Sequence, residues 1–291
     1  MIYTATEDIS TIYTAIDDFV DYLQQVLQYT PSVYLYGSVM TDDFTPNSDV
    51  NLLVVTPSQL TDVQTQRLTT ARQFLAEVRE TNNFLRINGA IICQADFVSG
   101  KAKGNVLYYA KGKQYVDDVY PLTTLDKLTL KTQSKLLVGD DVLAQIDMPT
   151  RAQIFAECKR VVQSVSTLGK ADGSAFAYEC MFWLTRALYT VATNEVASKS
   201  DSMLWAMEQG YVAEKAAMQC LTYHVTNTKQ YNDRMKQNLS SKYWQAQIDK
   251  LVSKANEIVS KPDSFVPTVE VFYNGDQDEP RKTGKLTWKR R

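Results

Sequence analysis

The stretch that most constrains this chain runs from Val33 to Val55 and reads VYLYGSVMTDDFTPNSDVNLLVV. A short run of β-forming residues, Val33 to Tyr36, delivers a Gly37-Ser38 turn. A polar loop with Asp42, Asp43, Pro46, Asn47 and Ser48 follows, and a second apolar strand opens with Asp49-Val50-Asn51. The two-residue period of a strand puts Asp49 and Asn51 on one face and turns Val50 and Leu52 to the other. Two oxygen-bearing side chains at the start of a buried strand suit a hard cation such as Mg²⁺. Glycine at 37 lets a backbone or a phosphate come close, and the Ser38 hydroxyl with nearby N–H groups can bind phosphate oxygens.

The rest of the composition narrows the class. With 291 residues, 44% hydrophobic and 22% charged, the chain is long enough for two globular domains and too apolar for disorder. A net charge of −2 gives no general reason to expect nucleic acid or an anionic membrane as partner. Cys93, Cys158, Cys180 and Cys220 stand singly in apolar patterns, which reads as buried reduced thiols. One histidine, His224, leaves little for a zinc site or a Ser-His-Asp triad, and its setting between Tyr223 and Val225 reads as a core or interface position. Glu7, Asp17 and Asp18 interrupt any leader-like start, and no run approaches the roughly 18 apolar residues of a membrane span, so the expected location is cytoplasmic.

Periodicity organises the remainder. Ile9, Ile12, Ile16, Phe19, Leu23 and Val26 mark an amphipathic helix over 7–29, ended by Thr30-Pro31. Thr61 to Gln64 has the form of a capping box and opens one helix through about Glu80. Ala90 to Cys93 lies in a third strand within Phe84 to Val98. Tyr108, Tyr109, Lys111, Gly112, Lys113 and Tyr115 form either a base-stacking surface or a strand or loop at the domain edge. Thr124 to Leu137 reads as a helix that stops at Gly139. From Thr150 onward, helical stripes around Ile154 to Val165, Phe176 to Tyr189, Leu204 to Met207, 213–225 and 240–260 predict an all-α bundle. The expected architecture is therefore α+β. It comprises a domain at 1–148 with a small mixed sheet flanked by helices, a helical bundle at 149–263, and a tail at 264–291. The tail alternates like a β-hairpin and ends in Arg281, Lys282, Lys285, Lys289, Arg290 and Arg291, a solvated end or a contact for RNA.

The phrase LYGSVMTDDFTPNSDVNLLV resembles the nucleotidyltransferase superfamily that includes polymerase β, and most closely the adenylyltransferases that modify streptomycin and spectinomycin. The family's second strand carboxylate is Asn51 here. The phrase LTRALYTVATNEVASKSDSMLWAME is similar to a second family segment, in which the residues matching Arg186 and Lys199 touch the nucleotide phosphates. Independently, a guanidinium on a nearly all-apolar helix calls for an anion, from phosphate or from Glu179 or Glu195. Lys199 beside a helix start adds charge where the dipole already favours anions. The resemblance also implies a glutamate before the apolar run of the third strand, to draw the proton off the acceptor. The matching position is Gly89, or Asn88 in a register shifted by one, and Asp96 further along that strand is the substitute, unless it merely ends the strand. Where the streptomycin enzymes hold their polycationic substrate with an aspartate, this chain has Phe176, and Glu179 is the nearest acid for that role.

Two functions follow from these residues. In the first, AMP passes from ATP to a hydroxyl of a small-molecule acceptor in a cleft between the domains. Gly37 and Ser38 hold the triphosphate, Asp49 and Asn51 hold Mg²⁺, and Arg186 and Lys199 neutralise the leaving pyrophosphate. In the second, the same site binds nucleotide without turnover and serves as a sensor or partner module.

Overall fold

A computed structural model describes residues 9–45, 48–100, 106–108, 114–116, 122–168, 175–226 and 240–260. The expected turn at 169–173, most of the tyrosine- and lysine-rich segment and the tail from 264 lie outside the described residues. The chain divides into two compact units, Met1–Pro149 and Thr150–Arg291.

In the first unit, α1 (Ile9–Leu27) precedes β1 (Ser32–Tyr36), and β2 (Val50–Thr56) follows the hairpin loop. Two helices, α2 (Asp62–Thr69) and α3 (Ala71–Val78), lead to β3 (Ile87–Cys93) and the short α4 (Gln94–Ser99). The strands β4 (Val106–Tyr108) and β5 (Gln114–Val116), then α5 (Thr124–Gln133) and β6 (Lys135–Val138), complete the unit. The described strands form one six-stranded sheet in the order β5-β4-β3-β2-β1-β6. It is mixed: β2 and β3 run parallel, and the other neighbours are antiparallel.

Helices cover both faces, so the central strands are apolar on both sides rather than alternating. On one face Ile12, Ile16, Phe19 and Leu23 of α1 pack with Val50, Leu52, Val54, Ile87 and Ile91. On the other, Tyr34, Leu53, Val55, Ala90 and Ile92 pack with Phe97 and Leu130. Thr61 caps α2 as expected, with Gln64 returning the bond to the Thr61 N–H.

Three sequence expectations change. The single helix over 61–80 breaks at Thr70, where Thr69 bonds back to the Thr65 carbonyl and the chain re-enters a helix at Ala71. The helix expected over 124–137 ends at Gln133, because Leu136 to Val138 pair with β1 as an edge strand. Edge pairing overrides their helical propensity. The third strand stops at Cys93 and turns into α4, so Asp96 sits on a helix and not on the strand. The edge segment does place strands at 106–108 and 114–116, and Tyr108 is buried with its hydroxyl on the Leu68 carbonyl, which rules that ring out as a stacking surface.

In the second unit, α6 (Arg151–Leu168), α7 (Ala175–Thr193), α8 (Lys199–Glu208), α9 (Glu214–Thr226) and a last described helix, Ser241–Ser260, form a bundle. Phe182, Leu184, Leu188 and Val191 bury α7 at its centre. Tyr178 stacks on Tyr223 at 4.5 Å and meets Trp244 edge-on at 5.0 Å. His224 lies against the Phe182 ring at 5.5 Å. Among the described residues no helix is long and apolar enough to cross a membrane.

All four cysteines are buried and free. Burial pushes the Cys158 thiol up to about 12 and Cys180 up to about 11, and raises Cys220 further. Expected outcome: at neutral pH a thiol-specific disulfide reagent labels the native protein slowly and labels all four cysteines once it is unfolded. Rapid labelling of the native chain would contradict the packing described. A second expectation concerns β3. Gly89 has φ +143°, and a Cβ there would stand 1.8 Å from the Leu52 carbonyl oxygen. Gly89→Ala should therefore cost about 3 kcal/mol or more, read as a fall in the denaturant midpoint.

Candidate functional site

The site is built where β1 ends and β2 and β3 begin. Tyr36 lies opposite Asn51 in the antiparallel pair, and Asn51 lies opposite Asn88 in the parallel pair. The register puts Tyr36, Asn51 and Asn88 on the same face of the sheet, with Asp49 one step before β2. Asn88 Nδ2 donates to Asp49 Oδ2 at 3.4 Å. The third polar position beside the strand motif is thus Asn88. Gly89 pairs with Leu52 in the next rung and has no room for a side chain.

Gly37 follows β1 with φ +82° and ψ −153°, a conformation open to glycine. A Cβ at 37 would meet Asn51 Nδ2 at 2.5 Å, so the missing side chain is what lets Asn51 lie against the turn. Ser38 opens a 3-10 turn through Met40, in which the Thr41 N–H and hydroxyl both donate to the Ser38 carbonyl, each at 3.1 Å.

The loop leading to Asp49 is held by Arg86, a residue to which the sequence reading assigned no role. Its Nε and Nη2 donate to the Ser48 carbonyl at 3.1 and 2.9 Å, and Nη2 also donates to the Thr45 carbonyl at 2.9 Å. The guanidinium lies 4.8 Å from the centre of the Phe44 ring. Within the loop, the Thr45 N–H donates to Ser48 Oγ at 2.9 Å and the Ser48 N–H returns to the Thr45 carbonyl at 2.9 Å. Nothing local in the sequence marks Arg86, because its partners are backbone carbonyls some 40 positions earlier. Expected outcome: Arg86→Met lowers stability by about 1–3 kcal/mol, and Arg86→Lys recovers only part, since an ammonium cannot span both carbonyls in the plane of a guanidinium. Thermal unfolding of the three proteins checks this, and an unchanged midpoint in Arg86→Met would remove the clasp.

Asp96 does not join the site. It belongs to α4, beyond the far end of β3, and Gln59 Nε2 donates to its Oδ2 at 2.6 Å. Five residue steps along the strand separate Asn88 from Cys93, a span of about 17 Å. A carboxylate at that distance cannot touch a group held between Asp49 and Asn88.

Could these residues hold a metal ion? Among the described residues no cluster of three or more His, Cys, Asp or Glu is placed to do so. Asp49 offers one carboxylate and Asn51 one carbonyl oxygen. Together with phosphate oxygens from a bound nucleotide, that set fits one Mg²⁺, which tolerates few protein ligands, and does not fit a pair of ions.

On the helical unit, Ser198 caps α8 by accepting from the Asp201 N–H at 3.0 Å, which sets Lys199 in the first turn. Lys199 Nζ bonds both Glu179 oxygens at 3.0 Å and stands 5.5 Å from the Phe182 ring centre. The ion pair of Glu179 is therefore with Lys199 rather than with Arg186. Arg186 donates Nε to the Ala197 carbonyl at 3.1 Å. Phe176 meets Trp183 edge-on at 6.0 Å. The pair of Lys199 and Glu179 is about one-third exposed on each side, so it contributes less than about 1 kcal/mol.

Comparison with known proteins bears on the fold. Residues 16–124 match the family model described as a nucleotidyltransferase domain. No curated protein matches the chain in sequence. Among solved structures, the chain is similar to a spectinomycin adenyltransferase from Enterococcus faecialis, crystallised with ATP and spectinomycin. The TM-score is 0.60 at 17% identity, over 84% of this chain and 99% of that one, a likeness of fold.

Proposed function

We propose that this chain, whose residues 16–124 match a nucleotidyltransferase domain, takes a nucleoside triphosphate, ATP in the first instance, and passes its AMP to a hydroxyl of a small molecule. The observation that carries the reading is the Gly37-Ser38 turn set directly against Asn51, with Asp49 one step before the strand. ATP is the first choice because the similar adenyltransferase was solved with it.

In this reading Gly37 and Ser38 receive the triphosphate, while the Asp49 carboxylate and the Asn51 carbonyl oxygen hold one Mg²⁺. The bound ion supplies charge neutralisation at the phosphates. The acceptor oxygen forms a bond to the α-phosphorus as the bond to the bridging oxygen breaks, pyrophosphate leaves, and the hydroxyl proton passes to water or to the departing pyrophosphate. Arg186 and Lys199, on the helical unit, are assigned to the charge that develops on that leaving group. Lys199 must then share its charge with Glu179, the acid assigned to the acceptor. Asn88 can orient the acceptor hydroxyl through its carbonyl oxygen and cannot take its proton. A site with one carboxylate and no base works slowly. Each missing electrostatic or base contribution commonly costs about 10²–10³ in rate.

A second reading, nucleotide binding without turnover, is favoured by two specific observations: the Asn88 amide bonded to Asp49, and Asp96 out of reach. The two part on one experiment. Pyrophosphate release from ATP is followed in the native chain and in the double variant Asn51→Asp, Asn88→Glu, alongside calorimetric titration with a non-hydrolysable ATP analogue. A rise of about 10² or more in the double variant, over a measurable native rate, is expected for a transferase. Binding with no release in either protein would leave the sensor. No binding in either would remove both readings.

A further inference from the structure

We propose that Phe176 and Trp183, on the open stripe of α7, form an aromatic platform for the acceptor, and that this platform takes an uncharged, planar ring compound bearing a hydroxyl rather than a polycation. The inference rests on the transferase reading above and names the class of its acceptor.

The central helix of the bundle is covered on nearly every side. Between Phe176 and Ala192 the residues that are not buried are Phe176, Glu179, Trp183, Arg186 and Tyr189. They follow one another at steps of three or four residues, so they form one stripe along the helix. Whatever α7 meets from outside the bundle, it meets along this stripe. Trp183 is the most open of the set, with 40% of its surface exposed. Phe176 lies two turns earlier and meets the indole edge-on at 6.0 Å, a favoured arrangement for an aromatic pair. The indole is thereby held in place with much of its surface still unused. Glu179 stands between the two rings, and Arg186 follows Trp183 by three residues.

Charge then decides the class of occupant. A polycation needs carboxylates that can pair with it. The one acid of the stripe is Glu179, and both of its oxygens already accept from Lys199 Nζ at 3.0 Å. Drawing Glu179 away would leave the Lys199 ammonium beside the incoming cation, with the Arg186 guanidinium on the same stripe. Like charges at that range repel, so the exchange gains little. An uncharged flat ring meets no such opposition. It covers the indole and phenyl surfaces that water now touches, and it leaves the ion pair intact. Glu179 can then accept a hydrogen bond from the occupant without having to balance its charge. The stripe thus selects by aromatic contact and not by ion pairing.

The test uses equilibrium dialysis of the full chain in the presence of a non-hydrolysable ATP analogue. The probes are 2-naphthol, uncharged and planar at neutral pH, and spectinomycin, a cationic cyclic alcohol. Expected for the native chain is retention of 2-naphthol and none of spectinomycin. Trp183→Leu should weaken 2-naphthol by about tenfold or more, and Trp183→Phe, which keeps a ring, should recover most of the loss. Affinity for the analogue and the thermal midpoint should stay unchanged in both variants, which separates a binding role for Trp183 from a structural one. With ATP in place of the analogue, 2-naphthol should raise pyrophosphate release. Retention of spectinomycin equal to or above that of 2-naphthol would overturn the inference and leave the transferase reading standing. Retention of neither compound by a chain that binds the analogue would overturn it too, as would 2-naphthol affinity indifferent to Trp183→Leu. Retention of 2-naphthol with no gain in pyrophosphate release would remove its class as the acceptor. Failure to bind the analogue at all would overturn the functional reading, and this inference with it. The preference of the native chain between the two compounds decides the matter even if a variant does not fold.

Discussion

The parallel ladder between β2 and β3 is the constraint on which the rest of the first unit depends. Once Val50 lies opposite Ile87, every later assignment follows from the two-residue period. Val50, Leu52 and Val54 must face α1, Leu53 and Val55 must face the other layer, and Asn51 and Asn88 must stand side by side. A slip of β2 by one residue would bury the Asn51 carboxamide under α1 and turn Leu52 toward Gly37. Burial of unpaired amides costs enough that the sheet has one register. The polar site is therefore a by-product of the same alternation that builds the core. It sits at the start of the two parallel strands, beside the end of β1.

How much of this could be read from the chain varied with the kind of signal. Local chemistry was legible: the Thr61 and Thr150 capping boxes and the Ser198 cap lie where their spacing put them, because each is closed within one turn of helix. The hairpin was legible for the same reason, as Gly37 and Asn51 advertise a turn and a strand within a short span. Pairing at a distance was not. Leu136 to Val138 look equally suited to a helix or a strand, and only β1, a hundred residues earlier, decides between them. Asp96 was misplaced because Gln94 to Ser99 is too short for a period to show, and an apolar run gives no sign of where the strand ends. The matching of Asn88 rather than Gly89 to the site needed the register, which no single strand contains.

The helical unit makes a related point about charge. The sequence argued that a cation on α7 needs an anion, and phosphate was one candidate. The bundle meets that need locally: Arg186 has the Ala197 carbonyl and Lys199 has Glu179. Fold stability thus places no demand on a ligand here. Any affinity for phosphate has to compete with partners already in place, and the part-exposed Lys199 and Glu179 pair is a weak competitor.

The step from Asn88 to Gly89 carries a consequence in time rather than in space. An asparagine followed by glycine is the dipeptide most prone to lose its amide by attack of the next backbone nitrogen. In a relaxed chain that attack is quick, because glycine does not hinder it. Here Gly89 is fixed in a ladder with no room for a Cβ beside the Leu52 carbonyl, and the ring closure requires a backbone swing that the sheet forbids. Folding therefore protects the carboxamide chemically. Unfolded material, by contrast, converts toward a carboxylate at the very position where the site has none. The charge beside Asp49 is in that sense a record of how long each molecule has spent unfolded, and a preparation kept folded and one that has lingered unfolded are different proteins at this one place.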